Sequence, residues 1–288
     1  MKYKSVKQTH KIGNLIVYAI LTFFAIIVIF PIVYSLAGSF KSLGELFINA
    51  DKIFPEKATI DNYVTVITSR SIRLGRMFLN SMYYTVANVA IMLIISSLNA
   101  YVFARGNFPG KKIIFVIFSA LMFINMGSIT VYPLFEMLNV IHLNSSLWGL
   151  ILIKAFGIPV VNIYLVKSYI ETLPKELDEA AKVDGCSFAG TFFKIILPLL
   201  KPILTTVAVL TFNGAWNEYL MPSIFTMSNP EQQTLMVGIT ALKQSGEAAA
   251  NWTVVLAAAN LSLIPTLVAY VFGNRYFVSG LAAGSVKG

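Results

Sequence analysis

Glu179-Ala180-Ala181-Lys182-Val183-Asp184-Gly185, running on to Ile195, Leu197 and Pro198, is a charged interruption between two long apolar runs. Charged side chains at bilayer depth cost several kcal/mol each, so this stretch belongs in water even if its flanks do not. Its residues predict two short helices. Pro174 sits where a helix start tolerates a missing N–H. Glu176, Asp178 and Glu179 fill the first turns, where the helix dipole favours negative charge. Gly185 then ends the helix, because glycine takes the left-handed conformation at low cost. A second helix carries Phe188, Phe192, Ile195 and Ile196, and Pro198 and Pro202 mark its passage back into apolar sequence. The expectation is a compact two-helix knob on a membrane surface, over about residues 171–200.

The rest of the chain supplies the membrane. It has 288 residues, 57% of them hydrophobic and only 12% charged, against roughly 25% charged in soluble domains. The net charge of +9 would point to nucleic acid in a soluble protein. Here the positive residues flank apolar runs, as membrane topology requires, so no nucleic-acid partner is expected. A crossing helix needs about 20 apolar residues. Six segments meet that length, at about 14–37, 77–104, 112–134, 146–170, 201–225 and 252–273. The first is too long for a signal-peptide core and reads as a retained span. The fold class is therefore an all-α integral membrane protein with six transmembrane helices in one domain, and with the knob as a cytoplasmic loop between spans four and five.

Lys and Arg near the span ends set the orientation. Lys2, Lys4, Lys7 and Lys11, then Arg105, Lys111 and Lys112, then Lys175, Lys182, Lys194 and Lys201 all fall on one side if there are six spans. That side is the cytoplasm, and both termini lie on it. The loop from Gly38 to Gly75 opposes this with Lys41, Lys52, Lys57, Arg70 and Arg73. Long loops are weaker topology signals, so it is placed outside. These cations, with Arg76, offer an attraction for an acidic glycan or simply a solvated face.

Polar residues inside the spans matter because lipid does not solvate them. Asn80, Asn88 and Asn99 lie along the second span, and Asn213 and Asn217 are four apart, hence on one face of the fifth. They serve either as interhelical hydrogen-bonding groups or as the wall of a translocation path; Asn88, Asn213 and Asn217 are the path candidates. Lys154 and Glu218 cost more and must face protein or water. Pairing with each other is one way to meet that cost.

Catalytic and cofactor signatures are missing. No phosphate-binding G-x-x-x-x-G-K-[ST] loop occurs; Gly106 to Lys112 comes nearest and lacks the hydroxyl residue. His10 and His142 form no constellation. Cys186 is the single cysteine, which excludes an internal disulfide framework and a cysteine metal cluster. No catalytic residue, cofactor-binding residue or metal site is expected.

The spacing Glu-Ala-Ala, three residues, Gly, nine residues, Ile-x-Leu-Pro resembles the signature of permease subunits of bacterial ABC importers. Glu179, Ala180, Ala181, Gly185, Ile195, Leu197 and Pro198 match every position. Asn80-Ser81, Ala100-Tyr101-Val102-Phe103-Ala104-Arg105, Trp216-Asn217-Glu218-Tyr219 and the ending Arg275 to Gly288 are similar to stretches of the second permease of maltose-type sugar importers.

The resemblance implies a non-enzymatic subunit of a carbohydrate importer in the bacterial inner membrane. It implies a heterodimer with a related permease, two cytoplasmic ATPase subunits that bind ATP and Mg, and an external sugar-binding protein. On this view Glu179, Ala180, Ala181, Asp184 and Gly185 couple to the ATPase. The tail Gly284, Ser285, Val286, Lys287 and Gly288 touches the ATPase dimer, and the loop at about 226–251 meets the binding protein. Asp184 is further expected to bond the backbone that opens the second knob helix. The alternative is an ion-coupled secondary transporter, which predicts paired repeats and a midplane ion site and leaves the knob without a purpose.

Overall fold

The computed structural model describes residues 2–68, 73–123, 127–244 and 252–285. Every regular element among them is helical. In chain order these are α1 (Lys2–Ser39), α2 (Leu43–Ile48), α3 (Asp61–Thr68), α4 (Leu74–Arg105), α5 (Lys111–Leu121), α6 (Val131–Val140), α7 (Leu147–Phe156) and α8 (Val160–Thr172). Then follow α9 (Glu176–Val183), α10 (Phe188–Thr191), α11 (Leu197–Leu199), α12 (Lys201–Trp216), α13 (Leu220–Phe225), α14 (Leu235–Gln244) and α15 (Trp252–Ser285). A π turn, Phe192–Ile196, joins α10 to α11.

Among the described residues, three helical stretches are long and apolar enough to cross a membrane: Asn14–Ser39, Leu74–Arg105 and Trp252–Gly273. They coincide with the first, second and sixth expected spans. Two bent pairs pass the same test. The helices α7 and α8 meet at 46°, and Phe188–Leu199 meets α12 at 76°. The first bend falls at Gly157-Ile158-Pro159, where Pro159 has no N–H to continue the ladder. The second falls at Leu200, between Pro198 and Pro202. The expected fifth span also stops short: α12 ends at Trp216, with Asn217 as its cap, and α13 starts at Leu220.

The expected third span is different. The helix α5 is only 11 residues long, and α6 only 10. A 3-10 turn, Gly127–Thr130, precedes α6, and residues 124–126 lie outside the described set. An apolar window here therefore does not mean an unbroken helix.

The chain forms two compact units, each drawn from two stretches. The first comprises Met1–Arg73 and Ile239–Leu261. Its apolar helix α1 leaves the stretch from Leu15 to Ile32 exposed throughout, a surface that hydrocarbon solvates without cost. The unit is tied by Asn62, whose Nδ2 donates to the carbonyls of Ser39 and Lys41 at 2.8 Å each, while Oδ1 accepts from Thr253 Oγ1 at 2.8 Å.

The second unit comprises Leu74–Gly238 and Ser262–Gly288. Its long helix α4 packs against α7, α8 and α12. One apolar cluster joins Ala100, Tyr101 and Phe103 to Ile163, Val166 and Ile170 of α8 and to Ile203 and Val207 of α12. A second joins Tyr84 to Leu147, Leu150 and Ile151 of α7 and to Phe225. Trp216 is buried; its Nε1 donates to Ser262 O at 2.9 Å, and its ring stacks on Phe212.

Candidate functional site

The knob forms as its residues dictate. In α9, Glu176, Asp178 and Glu179 occupy the first turn. The helix ends in a Schellman motif: Cys186 N–H donates to Ala181 O at 2.9 Å, and Gly185 N–H to Lys182 O at 3.1 Å. Gly185 has φ +77, the left-handed conformation expected of it. Pro174 lies two residues before α9 rather than inside it. The expected role of Asp184 is overturned: its side chain makes no hydrogen bond among the described residues. Ser187 opens the next helix instead, its Oγ accepting from Gly190 N–H at 3.0 Å. The serine reaches the turn from an extended backbone, while Asp184 serves the end of α9 through its backbone N–H.

 Ser187 has φ −68 and ψ 163, and Ser42 caps α2 with φ −71 and ψ 157, its Oγ accepting from Glu45 N–H at 3.3 Å.

The Glu-Ala-Ala triplet divides between two faces. Glu179 and Ala180 are exposed, while Ala181 is buried and packs inward. Val183, 87% exposed, extends the outer face, and Phe188 and Phe193 lie open beside it. The spacing of the motif marked Glu179 and Ala180 but gave no weight to Val183, whose signal was an apolar residue in an otherwise polar helix.

Arg105, the last residue of α4, anchors the knob. Its Nη2 donates to Leu173 O at 2.7 Å, and its Nε lies 2.9 Å from Asp178 Oδ2. The Arg105 side chain is 7% exposed. The Nε–Oδ2 contact is a charge pair rather than an aligned hydrogen bond, and neither atom has a hydrogen-bond partner. One turn earlier, Tyr101 lies against Phe188 and Phe192, with centroids 4.5 and 5.1 Å away, and its hydroxyl donates to Phe188 O at 3.3 Å. The end of α4 therefore grips both helices of the knob. In the sequence Arg105 is a topology signal and the end of the Ala100–Arg105 stretch, and its partner is 73 residues away.

A second charged site lies where two spans break. Lys154 Nζ and Glu218 Oε1 are 3.3 Å apart. Tyr84 OH donates to Glu218 Oε2 at 2.8 Å. Lys154 is near the end of α7, and Glu218 lies in the break after α12. The costly pair thus meets its cost mutually. Beside it is a recess of about 290 Å³, lined by Asn88, Met92, Lys154, Asn162, Thr211 and Glu218, among others.

The three path candidates are not brought together. Asn88 lines the recess and is buried, with Nδ2 donating to Tyr84 O at 2.7 Å. Asn213 and Asn217 are exposed and bond each other at 3.0 Å. Asn162 and Thr211, which do line the recess, lacked any motif to mark them.

Asn80-Ser81 pins the segment after α13. Asn80 Nδ2 donates to the carbonyls of Glu231 and Gln233 at 2.9 Å each, and Ser81 Oγ accepts from Leu235 N–H at 2.7 Å. Of the cations offered as an attraction for an acidic glycan or a solvated face, Lys41, Lys52 and Arg76 are engaged. Lys41 is fully buried and donates to the carbonyls of Asn49 and Lys52. Lys52 pairs with Glu56, and Arg76 with Glu231. Arg70 lies outside the described residues. In the tail, Gly284 and Ser285 end α15, and Val286, Lys287 and Gly288 lie outside the described residues.

Helices able to cross a bilayer, a charged two-helix knob anchored to one of them and a charged recess at two helix breaks are the parts of an all-α membrane permease. Residues 98–278 match the model of the family described as binding-protein-dependent transport system inner membrane component, and the chain belongs to that family; it is a bacterial inner-membrane protein. It is 34% identical over 272 residues to the galactooligosaccharides transport system permease protein GanQ of Bacillus subtilis (strain 168), covering 94% of each chain. It is 32% identical to the arabinooligosaccharides transport system permease protein AraQ of Halalkalibacterium halodurans, over 92% of this chain and 94% of that one. It is 34% identical to the sulfoquinovosyl glycerol transport system permease protein SmoH of Agrobacterium fabrum (strain C58 / ATCC 33970), over 90% and 89%. Among solved structures, a chain of a bacterial ABC transporter involved in the import of the acidic polysaccharide alginate has a TM-score of 0.77, with 25% identity, 93% of this chain and 97% of that chain covered.

Proposed function

We propose that this chain is one permease subunit of an ATP-driven, binding-protein-dependent carbohydrate importer. It spans the membrane six times, with both termini in the cytoplasm, and lines the path together with a second, related permease. Two cytoplasmic ATPase subunits bind ATP and Mg and do the hydrolysis; this chain supplies path and coupling. An external binding protein delivers the sugar to the side that carries the loop at about 226–251.

The observation that carries this reading is the anchored knob. Glu179, Ala180, Val183, Asp184 and Gly185 present an open surface, while Arg105 and Tyr101 fix the same knob to the end of a span. A partner that moves the knob moves α4 with it. Closure of the ATPase dimer then rocks the spans between inward-open and outward-open states, as in rigid-body switching. The tail Gly284 to Gly288 adds a second contact with the ATPase dimer.

The test is transport by the complete assembly in proteoliposomes, offered galacto- and arabino-oligosaccharides with its binding protein. Uptake is expected to survive a protonophore while ATP is present, and to stop when the ATPase subunit lacks its phosphate-loop lysine. Uptake that a protonophore abolishes and the ATPase variant leaves intact would establish the ion-coupled alternative.

A further inference from the structure

Asn162 and Thr211 line the recess beside Lys154 and Glu218, yet their side chains make no hydrogen bond to the described residues. Two unsatisfied polar groups and an ion pair facing lipid would be costly, so the recess opens to water or to a polar guest. Lys154 spends one of its three N–H donors on Glu218. Glu218 accepts from Lys154 and Tyr84 and has lone pairs to spare. The wall thus mixes donors and acceptors, as a polyhydroxyl compound needs. Met92 and Lys154 also border a neighbouring apolar recess of about 210 Å³, which suits the C–H face of a sugar ring.

Charge selects among sugars. The lining carries one positive and one negative group, so its net charge is zero. A uronate entering here would bring a second carboxylate beside Glu218, which Tyr84 holds in place, and would compete for a lysine already paired. Like charges in a partly buried site repel strongly.

We infer that the Lys154–Glu218 recess is a subsite for one neutral sugar unit of the translocated oligosaccharide, and that its balanced charge excludes uronates. This inference rests on the reading of the chain as a carbohydrate permease. It sets the chain apart from the alginate transporter it resembles in fold.

The experiment uses the whole importer with Cys186→Ser and a reporter, Gly214→Cys. Gly214 lines the recess, and a Cβ there meets no atom within 4 Å. Modification by a methanethiosulfonate reagent is followed in the presence of galactotetraose, arabinotriose or trimannuronate. At least one neutral oligosaccharide is expected to slow modification, and trimannuronate is not. Asn162→Ala, which removes no contact to the described residues, should weaken that protection, and Lys154→Met should weaken it about tenfold, as for one charge-assisted hydrogen bond. Glu218→Gln leaves Lys154 uncompensated and should let trimannuronate protect. Protection by trimannuronate with Glu218 intact overturns the inference, as does protection by no sugar or protection indifferent to Asn162 and Lys154. ATP hydrolysis stimulated by sugar-loaded binding protein is measured on the same sample. If it persists while protection fails, only the subsite is lost; if both fail, the carbohydrate-permease reading fails with it.

Discussion

Two ion pairs of the second unit, Arg105–Asp178 and Lys154–Glu218, differ in kind. Arg105–Asp178 closes a joint. Its arginine is 7% exposed and also holds a carbonyl of the α8–α9 connection, and two aromatic rings pack one turn away on Tyr101. Lys154–Glu218 borders an opening. Its lysine is 34% exposed, its contact is longer, at 3.3 Å, and its neighbours Asn162 and Thr211 have polar groups to spare. A charge pair closed off from water transmits force, because neither Arg105 Nε nor Asp178 Oδ2 has another partner to turn to. A pair beside unsatisfied groups can exchange partners with a guest. One region is built to move as a piece, the other to be visited.

The sharpest way to break this contrast is to cut the closed joint. Removing one member of a buried pair costs about 3 kcal/mol, because the other charge is left unpaired. Arg105→Gln should therefore lower the yield of assembled complex and reduce uptake more than the ATP hydrolysis that remains. Asp178→Asn should do less harm, since Arg105 keeps its bond to Leu173 O. The charge swap, Arg105→Asp with Asp178→Arg, should recover part of the loss. Quantitative pull-down of the ATPase beside uptake measures both; a silent Arg105→Gln would mean that Tyr101 alone anchors the knob.

The open pair should respond more weakly in stability and more strongly in transport. Water reaches Lys154, so breaking the pair is expected to cost about 1–2 kcal/mol of thermal stability, less than a closed pair. Glu218→Lys and Lys154→Glu should each stop transport, and the double reversal should restore some of it. Independent, additive defects in that cycle would show that the two residues act separately despite their 3.3 Å contact.

What was legible in the sequence follows the range of the forces involved. The knob depends on neighbours: a first turn of acids, a glycine with φ +77 and a motif of fixed spacing. It could be read residue by residue. Lys154 and Glu218 stood out because lipid penalises charge, and that penalty anticipated a partner without specifying the geometry. Arg105–Asp178 was hidden because both residues already had ordinary explanations, as a topology signal and as a helix-dipole acid. The third span is legible only as an apolar window. Hydropathy measures how apolar that window is, not whether one unbroken helix crosses it; its described part holds α5, the Gly127–Thr130 turn and α6. Asn162 and Thr211 are single polar residues in apolar helices, and only folding shows which way they face.

Within the knob the contrast can be refined. Gly185→Val imposes a β-branched side chain on a left-handed residue, at about 1–2 kcal/mol. Nothing lies within 4 Å of the added Cβ, so the cost is backbone strain alone. Gly185→Asn, which tolerates this conformation, should behave nearly as wild type. The valine variant is expected to assemble yet to couple poorly, with binding-protein-stimulated hydrolysis and uptake both reduced. Normal values of both would remove Gly185 from the coupling elements.

The smallest effect separates two neighbouring caps. Ser187 Oγ accepts from Gly190 N–H at 3.0 Å, and loss of such a cap costs about 1 kcal/mol. Asp184 contributes its backbone N–H to the end of α9, but its exposed side chain bonds to none of the described residues. Ser187→Ala should therefore lower the melting temperature of the purified complex by a small, measurable step, while Asp184→Ala leaves it unchanged. In ATPase association the order is expected to reverse. Asp184 is exposed, as are Glu179 and Val183, so its loss should be felt by the partner, and more so at low ionic strength, where screening is weakest. Pull-down at two salt concentrations, alongside thermal unfolding of both variants, reads the two properties apart. A melting shift for Asp184→Ala equal to that for Ser187→Ala would return Asp184 to the capping role and leave Glu179 and Val183 as the contacts that face outward.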